Sequence, residues 1–128
     1  MNRLSGYAAL PLRLAVGAVF LHHGIMKLQM GIPGVTGFFH SLGIPFAGIF
    51  AVIVTGLEIG GGALVILGVL TRIWGIAFAV EMVVAITRAL LPNHQPFELE
   101  GMLLAGALSL VALGDGPVAL GMTLKRGD

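Results

Sequence analysis

The chain contains no cysteine among its 128 residues. Disulfides, iron–sulfur clusters and thiolate zinc sites are therefore excluded, and the redox compartment cannot be read from thiols. Charge is scarce as well: Asp, Glu, Lys and Arg make up 10% of the residues, against 57% that are hydrophobic. Soluble domains carry roughly a quarter charged residues, and so few polar groups cannot cover a water-facing surface. A formal net charge of +1 leaves no basic stripe for nucleic acid. What abounds instead is long apolar runs, so the bilayer is the solvent for most of this protein.

A spanning helix needs about 20 mostly apolar residues to cross a core of about 30 Å. Four segments approach that length, at about 10–28, 46–68, 72–91 and 98–114. The first ends at the glycine-proline stretch MGIPGVTG, the second at GVLTR, the third at PNHQP and the fourth at GDGP. The expected fold is all-α, an integral membrane four-helix bundle, with residues 1–128 forming a single membrane domain. The start has a basic flank and an apolar run, as a secretory signal does. No small-residue cleavage site follows it, and Pro11 and Arg13 interrupt it, so it is read as an uncleaved first span. Arg3, Arg72, Lys125 and Arg126 gather on the side of the termini, which predicts an N-in, C-in topology in a bacterial-type inner membrane.

Small residues predict where helices approach closely. Gly56 and Gly60 form a small-xxx-small pair extended by Gly61 and Gly62, and Gly101, Ala105 and Ser109 repeat the spacing on the last span. These glycines are read as packing sites; no strand–turn–helix context supports a nucleotide loop. A faint internal repeat is also present: Arg13 opens the first span and Arg72 the third, while Leu57-Glu58 and Leu99-Glu100 each precede small residues.

Ionisable residues at membrane depth are costly, by about 2.5–3.5 kcal/mol each on insertion scales. This chain carries Arg13, His23, Lys27, Glu58, Glu81, Arg88 and, at the outer lip, Glu100. At about 1.5 Å per residue, Glu58 and Glu81 both come out within about 5 Å of the midplane. Helical phase puts Arg13, Gly24 and Lys27 on one face, His23 at its edge and His22 on roughly the far side. His23 is thus the histidine expected to face inward.

Two accounts fit these residues. In one, three cations and three carboxylates neutralise one another and fix helix register without chemistry. In the other they line a polar site. Glu58 and Glu81 are then the candidate catalytic, proton-handling pair, at least one of them held neutral. Arg13, His23, Lys27, Arg88 and Glu100 are the candidate ligand-binding residues, for a polar headgroup or an anion. Metal binding by His22, His23, His40 or His94 lacks the usual three- or four-residue ligand spacing, so no metal site is expected. Ser41 and Ser109 have no arranged base, which leaves hydrolysis unsupported.

The run LRLAVGAVFLHHGIMKL resembles the first helix of the DoxX family of small four-helix membrane proteins. GLEIGGGALVILGVLTR resembles the family's second helix and following turn, with Glu58, the glycines, Gly68 and Arg72 in order. Glu100 and the small-residue helix ending in GDGP are similar to the last span, so the resemblance covers about residues 8 to 117. Some family members share a terminal Ser-Leu-Asp turn where this chain has GPVALG. The resemblance implies a small subunit or partner of a quinone-linked redox assembly, with quinone as the possible cofactor and other membrane subunits as partners. A non-catalytic assembly subunit and a small transporter or proton pathway are the alternatives. Phe20, Phe78 and Met82 look too bulky for a wide permeation route.

Overall fold

A computed structural model describes residues 4–121. The described chain is helical from end to end, with no strand among these residues. A short 3-10 turn, Leu4–Tyr7, precedes α1 (Ala9–Met30), and α2 (Ile32–Ser41) follows after one residue. Then come α3 (Ala47–Leu67), α4 (Thr71–Ala85) with a π-helical extension at Ile86–Leu90, and α5 (Glu98–Leu113). Three stretches are long and apolar enough to cross a membrane: Leu4–Met30, Ala47–Leu67 and Thr71–Leu90.

The helices form two antiparallel hairpins packed side by side. In the first, α1 and α3 touch at Gly17 with Gly62 and again at Gly24 with Ile59. A Cβ on Gly17 would lie 2.7 Å from the Gly62 carbonyl oxygen, and one on Gly62 would lie 2.8 Å from that of Gly17. Only glycine on both sides allows the two backbones this close. In the second hairpin, Gly75 of α4 meets the Ala107 carbonyl of α5 in the same way, at 2.9 Å. Gly31 (φ 92°) ends α1 and Gly68 (φ 78°) ends α3, both left-handed positions that glycine occupies without Cβ strain.

The hairpins meet along a core of Val16, Phe20, Val65, Phe78, Met82, Leu103 and Leu110. These fall at helical spacing on each element, so one stripe of every helix turns inward. At the centre, Phe20 of α1 stacks on Phe78 of α4 with ring centroids 3.8 Å apart and planes within 4°. The outward faces carry large apolar side chains such as Ile49, Val52, Ile76, Val80 and Met102, all more than half exposed. In a lipid solvent that is the favourable arrangement, not a defect.

Two features differ from the sequence-based reading. The 29–45 connection is not open loop: it holds α2, whose Val35 and Phe39 bury against Ala47 and Ala51 at the start of α3. The glycines and proline in MGIPGVTG signalled a break, and they make a one-residue corner with Pro33 seated in the first turn of α2, where its missing N–H costs nothing. Secondly, Gly56, Gly60 and Gly101 have no neighbouring atom within 4 Å of an added Cβ, while Ala105 and Ser109 are exposed. The close-packing glycines are Gly61 and Gly62 on α3 and Gly17 and Gly24 on α1. The last span is short, in keeping with its 98–114 bounds in the sequence: α5 has 16 residues, about 24 Å of helix, fewer than any of the three stretches long enough to cross a membrane.

Candidate functional site

The α1–α3 contact brings one cation to one carboxylate. Lys27 Nζ donates to Glu58 Oε1 at 2.8 Å. Side chains on a helix tilt toward its N-terminus. Because α1 and α3 are antiparallel, Lys27 leans toward the middle of the molecule while Glu58 leans out toward Lys27. Glu58 lies one residue past the centre of α3 and is 1% exposed; the Lys27 side chain is 25% exposed. The pair therefore runs from a buried anion to a cation that keeps partial access to the polar end.

Glu81 joins them from α4. It sits beside the midpoint of the Thr71–Leu90 stretch, near enough to Glu58 and Lys27 to interact with both electrostatically. Glu81 Oε1 is buried and has no hydrogen-bond partner among the described residues. Thr55, one turn from Glu58 on the same face of α3, is 4% exposed, and its hydroxyl is likewise unpartnered. The site is thus anchored on one side and retains unused hydrogen-bonding capacity on the other.

Of the two histidines, His22 is exposed and His23 half-buried. His23 lies within electrostatic reach of Glu58, Lys27 and Glu100. Glu100 is in the first turn of α5, partly exposed, where a carboxylate complements the positive end of the helix dipole. Arg88 lies on the π-helical segment, exposed, with its guanidinium toward Gly43 after α2. Lys27 and Glu58 are in direct contact, His23 and Glu81 are near enough to both to interact electrostatically, and Glu100 is so placed toward His23 alone; Arg88 stands at the rim of the same end, and His40 and His94 are exposed.

Arg13 is elsewhere. It sits fourteen residues before Lys27 on α1, about 21 Å along the axis. It is 1% exposed, and its guanidinium donates five hydrogen bonds to carbonyl oxygens. Val65 and Ile66 accept from the C-terminal turn of α3, at 3.1 and 3.0 Å; Asp115, Pro117 and Val118 accept from the segment after α5, at 2.8, 3.3 and 3.1 Å. All five N–H donors of the side chain are used, which leaves none for a ligand. Arg72, the residue matched to it in the internal repeat, reaches the Ala112 carbonyl near the end of α5. Each arginine thus binds the carbonyl end of its hairpin partner, where the helix dipole favours a cation.

Sequence reasoning did not single out Thr55 or Asp115. Thr55 had a usable signal, its three-residue spacing from Glu58. Asp115 accepts from the backbone N–H of Thr71 at 3.0 Å and so caps α4 across 44 residues, which no local pattern announces. The two best-formed concavities are shallow apolar grooves on the outer faces of α4 and α5, one lined by Phe97, Gly101 and Met102 and the other by Val80, Val84 and Leu108. Neither touches the Lys27–Glu58–Glu81 cluster. Among the described residues, no group of three or more His, Asp or Glu side chains converges as a metal site would require.

The DoxX family model matches residues 8–91. A Bacillus subtilis (strain 168) protein named "Putative oxidoreductase CatD" is 34% identical over 129 residues, which cover 99% of this chain and 94% of that one. A Mycobacterium tuberculosis (strain ATCC 25618 / H37Rv) protein named "Uncharacterized membrane protein Rv3486" is 41% identical over 85 residues, 66% of this chain and 52% of the relative. No solved structure matches.

Proposed function

The chain belongs to the DoxX family, and from that premise we propose that it is a small integral membrane subunit or partner of a quinone-linked redox assembly. The observation that carries the proposal is the 2.8 Å Lys27–Glu58 pair with Glu81 against it, at the mid-depth of two apolar helices. A charge pair in that place costs several kcal/mol to bury, which favours a use for it. A carboxyl pair sharing a proton is what protonation of a quinone oxygen calls for. Glu58 and Glu81 handle the proton in this reading. Lys27 and His23 hold a polar headgroup, with Arg88 and Glu100 at the rim. The relative named as an oxidoreductase supports redox chemistry at this level and names no substrate.

The membrane frame belongs to the same proposal. α1, α3, α4 and α5 form a four-helix bundle across a bacterial-type inner membrane, as one domain. The termini lie in the cytoplasm in this reading, because the sequence puts the basic residues Arg3, Arg72, Lys125 and Arg126 in the flanks of the spans on that side. The Lys27 end and α2 then face outward. α5, about 24 Å long, spans with local thinning of the bilayer or against a partner subunit.

The test is purification in mild detergent followed by thermal melting with quinone analogues. Binding raises the melting temperature of the wild type, and E58Q and K27M lose that rise. If quinone analogues never move the melting temperature, the redox reading falls. The second reading is a non-catalytic assembly subunit. It is favoured by one observation, that the best-formed concavities lie on outer helix faces away from the cluster. Under it, E58Q and K27M change complex assembly and leave ligand response untouched.

A further inference from the structure

His22 carries an imidazole to the outside of the molecule at the middle of its depth. It lies two residues from buried Phe20 and two from buried Gly24, about 200° round the helix from each. Its side chain therefore leaves the core face, and it is exposed. Packing against α3 fixes its level. A Cβ on Gly62 would lie 2.7 Å from the Leu21 nitrogen, and one on Gly24 would lie 2.9 Å from the Ile59 nitrogen. His22 thus runs level with residues 59–62, just past the centre of α3 at Leu57, about 3–8 Å from it along the axis. α3 has 21 residues, so it is about 31 Å long and matches the hydrocarbon thickness of a bilayer.

Among the described residues, the other exposed ionisable side chains on the long helices are Arg72, Arg88 and Glu98, each in a first or last turn. Side chains at helix ends reach the headgroups; an imidazole near the midplane is too short to do so. His22 makes no hydrogen bond or ion pair among the described residues, and its ring meets that of His23 at a tilt, with centroids 6.1 Å apart. Ionisable groups at this depth are costly and turn toward protein or enclosed water, not acyl chains. The surroundings of His22 suit a helix contact. Ala18 and Ala15, one and two turns earlier on the same outer stripe of α1, are both exposed, and small residues let membrane helices approach closely.

We infer that the outer face of α1 binds a second copy of this chain, with the two His22 side chains hydrogen-bonded to each other across a two-fold axis along the membrane normal. The imidazole decides the occupant. In its neutral form one ring nitrogen donates and the other accepts, so it is complementary to an identical ring. A two-fold axis along the membrane normal brings the same residue to the same depth in both copies, which an isologous contact requires. Ala15 and Ala18 then face their own counterparts, and the two α1 helices close upon them. The Lys27–Glu58 pair stays within each copy. The inference is independent of the redox reading and needs only that α1 and α3 cross the membrane.

The test exploits a chain without cysteine, in which one introduced thiol reports one position. A15C, A18C and, on the outer face of α4, I76C are made in the full chain. Each is placed in phosphatidylethanolamine–phosphatidylglycerol vesicles at low protein-to-lipid ratio and oxidised. A15C and A18C should form disulfide-linked dimers well ahead of I76C. Energy transfer between labelled copies gives the dimer dissociation constant in the same vesicles. H22L should raise that constant by about 3- to 30-fold, the range for one hydrogen bond between membrane helices, and H22Q, whose amide also donates and accepts, should restore most of the affinity. Cross-linking of A18C no faster than that of I76C overturns the inference, as does a wild type that stays monomeric at every protein-to-lipid ratio. H22L pairing as tightly as wild type overturns the histidine contact. In cell membranes, A18C linked to a different protein and never to its own copy overturns it too, and gives the face to a heterologous partner.

Discussion

Lys27 on α1 and Glu58 on α3 are 31 residues apart in the chain and 2.8 Å apart in space, the closest cation–carboxylate contact among the described residues. One partner is buried and the other keeps a route to the polar end, so the pair is unequal: losing the cation strands the anion, while losing the anion merely frees the lysine.

That asymmetry predicts the outcome of a double-mutant cycle. K27M leaves Glu58 buried without its cation and should destabilise the protein by about 3 kcal/mol, the lower end for a broken buried pair because Lys27 is partly exposed. K27M/E58M, with both groups replaced by apolar ones of similar size, should recover most of that loss. Thermal or denaturant unfolding in one detergent measures all four corners. A double variant no more stable than K27M would contradict the pairing.

Glycines on α3 separate into two kinds. G62A adds a Cβ 2.7 Å from the Leu21 backbone nitrogen, in contact with main chain that cannot move aside, and should cost about 1–3 kcal/mol. G56A meets nothing within 4 Å and should be neutral or stabilising by up to about 1 kcal/mol, since alanine favours helix over glycine. The two melting curves, run side by side, decide whether the helices cross where described.

Arg13 tests planarity against charge. R13K keeps the positive charge but offers three donors in place of five in a fixed fork. At least two of the five carbonyls now bonded would be left without it, at about 1–3 kcal/mol per buried group. R13K should therefore unfold well below wild type, with quinone-dependent melting shifts unchanged in size. A lysine variant as stable as wild type would show that charge alone suffices.

The aromatic stack lies at the centre of the core. F78A removes a fully buried ring and its stacking partner contact, and should cost about 3–5 kcal/mol. F78L keeps most of the volume and should cost about 1 kcal/mol. Melting of the two variants separates lost volume from lost stacking.

The apolar runs announced the long helices because spanning length and hydropathy are local properties of a segment. The inward face of α1 was equally legible: Arg13, Gly24 and Lys27 share a helical phase, and the structure buries the first two and turns the third to Glu58. Glu58 near the centre of α3 and Glu81 near the centre of the Thr71–Leu90 stretch follow from residue count alone. Helix α2 was not, since its glycines and proline mimic a loop and its burial depends on Ala47 and Ala51 arriving from α3. The choice of Gly61 and Gly62 over Gly56 and Gly60 was hidden for a related reason. All four lie within two turns of one helix, and only the rotation of α3 against α1 and α4 selects which face is covered. Arg13 read as a site residue because its five acceptors are backbone carbonyls, which every sequence possesses and none advertises.

The guanidinium near the start of α1 draws three of its acceptors from residues 102 to 105 positions later in the chain. A helix entering a membrane early in synthesis therefore carries a guanidinium that Val65 and Ile66 satisfy only in part until the segment after α5 has left the ribosome. The last contact to form is the one that shelters the first helix, so truncation after α5 would expose the earliest segment to quality control, not the latest.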